Sequence, residues 1–131
     1  MQEERFTEPI ELNIAANPAM MLIIRLTTAG VVTRAGLTID AMESLKIAAE
    51  EACACLISQA QPPKRLHVTY SCEGDALVIS VDASDIPDEP GNLDEAELEV
   101  VRCILEALAD QVDIVVSNGW IRAIALRAAL A

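Results

Sequence analysis

Aromatic side chains are nearly missing: Phe6, Tyr70 and Trp120 together make up 2% of the 131 residues. No platform of rings is available for bases to stack on, and the core has to be aliphatic. Basic residues are scarce as well. Nine Lys and Arg stand against 21 Asp and Glu, a formal charge of -12. Such a field repels phosphate backbones and excludes direct nucleic-acid binding as the expected role. His67 is the one histidine, too few for a histidine-based triad or a metal cluster. Four cysteines (Cys53, Cys55, Cys72 and Cys103) show no paired spacing of the zinc or redox kind. Cys53 and Cys55 would point to nearly opposite sides of a helix, and all four are read as buried free thiols. Long apolar runs are missing too. Ala19–Ile24 is stopped by Arg25, far short of a bilayer's thickness. Met1–Pro9 is acidic and polar, unlike a signal peptide. A cytoplasmic location with no membrane partner is expected.

What is present is aliphatic: 53% of the chain is apolar, so disorder is not expected. A chain of this length buries roughly two-thirds of its unfolded surface. It reads as one domain over residues 1–131, without repeat or linker. The acidic surface suits a basic protein partner, since opposite fields speed encounter; it also serves solubility alone.

Ile10–Ala15 alternates apolar and polar residues and predicts a strand. Asn17-Pro18 supplies a cap and a first-turn proline for a helix to about Arg34, with Gly36 as its stop. A second helix opens at Thr38–Asp40, with Glu43 completing a capping box from Asp40, and runs to about Gln59 before Pro62-Pro63. Leu45, Ala48, Ala49, Ala52 and Leu56 form its inward stripe. Arg65–Cys72 and Ala76–Asp82 predict a hairpin turning at Glu73-Gly74-Asp75. The loop Ala83–Asn92 precedes a third helix, started by Asn92 with Glu95 and ending near Asp110. Leu98, Val101, Ile104, Leu105 and Leu108 are its apolar positions. Val112–Ser117 and Trp120–Leu126 predict a last hairpin through Asn118-Gly119. Three helices over one face of a five-stranded, largely antiparallel sheet make a two-layer α/β sandwich.

This order resembles the anti-sigma serine kinases of the RsbW type, within the GHKL (Bergerat-fold) ATPases. The resemblance is carried by Ile10-Glu-Leu-Asn-Ile-Ala15, Leu45-Lys-Ile-Ala-Ala-Glu-Glu-Ala-Cys-Ala-Cys-Leu-Ile57 and Ala107-Leu-Ala-Asp-Gln-Val112. It implies an ATP and magnesium site, a sigma factor and a STAS-domain anti-anti-sigma factor as partners, and commonly a homodimer. The surplus of apolar residues in the first helix (Met20, Met21, Ile23, Ile24) is a candidate dimer surface.

In the family a helical Glu activates the acceptor serine, and an Asn four residues later holds magnesium; residues so spaced share a helix face. Glu51 matches the Glu, while Cys55 stands at the Asn position, and a thiol is a poor magnesium ligand. Two readings of Glu51 stand side by side: the catalytic carboxylate, or an exposed helix carboxylate. The family's adenine-binding Asp falls on Ala83. Asp82 lies one position early, facing the other side of the strand, both glycines of that box are missing, and Asp85 is within reach from the loop. The phosphate-cradling glycines at the third helix match Leu98-Glu-Val-Val101, without a glycine and with Glu99 inside it; Glu95, Glu97 and Glu99 would repel a triphosphate. The lid segment before it is short. The expected function is sigma-factor sequestration relieved by a STAS-domain partner, with no ATP or only weak ATP and magnesium binding. The alternative is an active ATP-dependent serine kinase acting on the anti-anti-sigma factor.

Overall fold

A computed structural model describes residues 6–130. In chain order it contains β1 (Ile10–Ala15), a single 3-10 turn at Pro18–Met20, α1 (Met21–Arg34), α2 (Ile39–Ile57), β2 (Arg65–Glu73), β3 (Ala76–Ala83), α3 (Glu95–Glu106), β4 (Gln111–Ser117) and β5 (Trp120–Ala129). The sheet order is β1-β2-β3-β5-β4, and every neighbouring pair is antiparallel. The expected two-layer α/β sandwich is the fold observed.

Register explains why the helices lie on one side. Directly paired residues share a face. The rows Leu12–Val68–Val81–Ile124–Ile114 and Tyr70–Ile79–Leu126–Val112 therefore run across the strands toward the helices. They join Ile24, Val31 and Val32 of α1, Leu45, Ala48, Ala49, Ala52, Cys53 and Leu56 of α2, and Leu105 of α3 in one apolar cluster. Inside it, the Thr28 and Tyr70 hydroxyls satisfy each other at 2.8 Å, which removes the cost of burying two polar groups. The opposite face of the sheet is polar. His67 there meets Glu11 at 2.7 Å, and Arg65 donates to the Asn13 side chain at 2.6 Å.

Several boundaries differ from the sequence reading, each for a local reason. Asn17 caps as expected, accepting from the Ala19 N–H at 2.8 Å, but its first turn is 3-10 and the α-helix begins at Met21. Thr38, not Asp40, caps α2 by accepting from the Ala41 N–H, so no Asp40–Glu43 capping box forms. Asp94, not Asn92, caps α3. That helix ends at Glu106 because the Asp110 N–H is already taken by the Arg127 carbonyl of β5. Gly36 closes α1 with φ +81°. Its N–H reaches the Thr33 carbonyl and the next N–H, of Leu37, reaches the Val32 carbonyl, the paired bonds of a Schellman stop. None of the four cysteines is in a disulfide, but only Cys53 is fully buried; Cys55 and Cys72 are half-buried and Cys103 is exposed. In the apolar first helix, Ile24 belongs to the core, while Leu22 and Leu26 are more exposed than Ile23. No helix among the described residues is long and apolar enough to cross a membrane.

Candidate functional site

A shallow cleft opens between the end of α2, the start of α3 and the start of β5. It consists of adjoining pockets of ≈ 120 and ≈ 130 Å³ that share Ser58, Gln59, Leu93 and Glu97. The α2 wall adds Cys55 and the α3 wall adds Val101. Cys55 is held as a neutral thiol: burial first, then the Glu51 carboxylate, push its pKa up to about 11. One turn earlier, Glu51 is exposed and does not line the cleft.

Gln59 closes the deep end. It sits two residues past the end of α2, where its amide acts as a second strand. Its Oε1 accepts the Ile121 N–H at 2.7 Å and its Nε2 donates to the Ile121 carbonyl at 2.9 Å. One side chain thus satisfies both backbone groups at the root of β5, groups that would be costly to leave unpaired. Sequence reasoning missed this residue, because a Gln just beyond a helix carries no pattern of its own.

The segment between β3 and α3 is fastened along its length. At its start Ala83 faces the helix side and packs on the core, while Asp82, one position earlier, shares the open face with His67 and Ala123. Asp85 turns toward β2 instead of the cleft, accepting from the Ser84 hydroxyl at 2.7 Å and the Lys64 N–H at 3.2 Å. Those bonds, the hydroxyl foremost, lower its pKa. Further along, the buried Trp120 indole donates to the Glu89 carbonyl at 2.8 Å, and Asn118 Nδ2 reaches the Asp88 carbonyl. The Gly91 N–H donates to the Asn118 carbonyl at 2.8 Å. Here Gly91 and Gly119 touch backbone to backbone, so a Cβ on either would collide with the other. The β4–β5 turn that makes this approach has Asn118 at φ 52° and Gly119 at φ 79°, the left-handed pair that a two-residue hairpin favours.

On α3 the helix N-terminus is already used. Asp94 accepts the Ala96 N–H at 3.0 Å, so a carboxylate of the chain sits where an anion would be attracted. Leu98–Val101, expected at the helix start, lies a turn inside, and the Leu98 N–H is spent on the Asp94 carbonyl. Glu97 lines the cleft; Glu99 is exposed and does not. Of the residues singled out from sequence, the cleft therefore receives Cys55, Glu97 and Val101, joined by Gln59. Ala83 and Asp85 line a separate pocket of ≈ 310 Å³ with Ser84, Ile86 and Arg122, and Glu51, Asp82 and Glu99 do not line the cleft.

No family model matches the chain. The serine-protein kinase RsbW of Bacillus velezensis is 31% identical over 129 residues, covering 84% of this chain and 79% of the relative. This chain belongs to the RsbW-type anti-sigma factor and serine-protein kinase family. A Bacillus cereus RsbW is 36% identical over 92 residues, 69% of this chain, and the match spans 57% of that relative's length. Among solved structures, the RsbU and RsbW domains of Rv1364c from Mycobacterium tuberculosis superpose with a TM-score of 0.73 over 95% of this chain and 33% of the other. At 15% identity that likeness concerns the fold.

Proposed function

We propose that this chain is a cytoplasmic anti-sigma regulatory factor that binds and sequesters a sigma factor, is relieved by a STAS-domain anti-anti-sigma partner, and works without ATP. Family membership supports the regulatory role. The nucleotide-free part rests on one observation, the Gln59 clamp on Ile121 with the 84–94 segment fastened beside it. Magnesium triphosphate fits these residues poorly. The cleft offers it a neutral thiol and the Glu97 carboxylate where hard oxygen ligands and positive charge are needed. Its pockets also fall below the about 300 Å³ at which ligand sites usually begin. Exposed Leu22, Ile23 and Leu26 on α1 support a homodimer through that helix.

The kinase alternative keeps one favourable observation: Glu51 is exposed on α2, one turn from Cys55. Calorimetry separates the two readings. The expected result is a complex with a sigma factor of the same organism at micromolar concentration, equally tight with and without Mg-ATP, and no heat from Mg-ATP alone at millimolar concentration. Binding of no sigma factor overturns the regulatory reading. Heat from Mg-ATP, together with phosphoryl transfer that Glu51→Gln abolishes, restores the kinase.

A further inference from the structure

Helix α3 is apolar on two sides. Inward it contributes Leu98, Val101 and Leu105 to the core. Outward, Ala96, Val100, Cys103, Ile104 and Ala107 follow one another at i, i+4, i+7, i+8 and i+11 and are all exposed, Val100 at 58% and Ile104 at 43%. A surface helix that faced only water would carry polar residues at those positions. This spacing is the one a helix uses to meet another helix. Val116, 43% exposed, pairs with the core residue Ile121 on the helix side of the edge strand β4.

Charge selects the occupant. Glu95, Glu99 and Glu106 line one flank of the stripe and Glu97 the other. The helix's single base, Arg102, is directed to the Val112 carbonyl. A second copy laid antiparallel on the stripe would bring glutamate row against glutamate row, and a parallel copy would set that row against Glu97; each copy also carries a formal charge of -12. An anionic membrane is repelled in the same way. A helix with basic flanks meets the apolar stripe and both acidic rims at once. We propose that the outward face of α3 docks a basic amphipathic helix of a protein partner.

The test uses the full chain and a synthetic basic amphipathic peptide of about 18 residues, long enough to hold helical structure. A second peptide keeps the apolar stripe and carries Glu for every Lys and Arg. Fluorescence anisotropy is expected to show saturable binding of the basic peptide, weakened by salt, and none of the acidic one. The double variant V100S/I104S should bind about ten-fold more weakly. E99Q/E106Q should lose affinity and most of the salt dependence, while I47S, at a 49% exposed position on α2, binds like the wild type. Circular dichroism and melting confirm that each variant stays folded, as expected for exposed positions. Equal binding of both peptides, or unchanged binding by both α3 variants, overturns the proposal. So does concentration-dependent self-association abolished by V100S/I104S, or adsorption to neutral phosphatidylcholine vesicles in place of the peptide. Sigma-factor capture is read separately: a wild type that binds the basic peptide but no sigma factor keeps this inference and discards the regulatory one.

Discussion

The two helices that wall the cleft, α2 and α3, are held in different ways. Along α2 the inward residues Leu45, Ala48, Ala49, Ala52, Cys53 and Leu56 are at most 2% exposed. Its outer edge is tied to α1 by the two-point contact of Arg25 with Glu50, at 2.8 and 3.1 Å. On α3 only Leu105 is fully buried, while the remaining apolar positions are half-buried or face outward. The difference teaches that α2 is constrained mainly by packing, where each lost methylene is felt, whereas the composition of α3 is not explained by the core it covers.

The sharpest break of that contrast is Leu56→Ala, expected to cost about 3 kcal/mol through the cavity it leaves, against Ile104→Ala on α3, expected within about 0.5 kcal/mol. Urea unfolding measures both, and equal costs would end the comparison. Gly91→Ala tests whether the segment between the helices is fixed. The collision with the Gly119 carbonyl oxygen should cost about 2 kcal/mol and shift Trp120 emission to the red as its indole leaves the Glu89 carbonyl. Gln59→Ala removes the link from α2 to β5, at about 1–2 kcal/mol for the backbone groups left unpaired, with faster hydrogen exchange at the Ile121 amide. Cap removal is a matched pair across the two helices: Thr38→Ala and Asp94→Ala should each cost about 1 kcal/mol in thermal melts.

The smallest effect comes from the thiols. Burial first, then Glu50 and Cys55, push Cys53 up from an ordinary value of 9.0 to about 12; Cys55 rises to about 11. The unfolded thiols ionise at lower pH than the folded ones. Stability from the neutral thiols is therefore complete below pH 9 and falls as pH rises toward 12. Buried Tyr70, raised to about 12, acts in the same direction. Cys53→Ala should flatten the alkaline slope of the melting temperature. Iodoacetamide at pH 8 should label exposed Cys103 well before Cys53.

Most of the fold was legible. Alternation in Ile10–Ala15 and Arg65–Cys72, the 3.6-residue stripe of Leu45 to Leu56, and Asn118-Gly119 each announce an element by local chemistry. Element ends were less so. Whether Asp94 or Asn92 caps α3 depends on which carboxylate or amide meets the Ala96 N–H, and both residue types cap well. Of the cleft, Cys55 was visible through its spacing from Glu51. Glu97 was legible as a repelling carboxylate at the third helix, whereas Gln59 was not assigned to the cleft, because its partner Ile121 comes from a distant part of the chain.

The order of residues alone determined the aliphatic composition, the acidic field, the element sequence and the likeness to RsbW, because these are local or additive properties. Tertiary structure decided which side of α3 meets the core, that Gly91 and Gly119 interlock, and that one glutamine joins α2 to β5. Each of those depends on long-range contacts that bring distant backbone groups within hydrogen-bonding reach, and no periodicity along the chain encodes that distance.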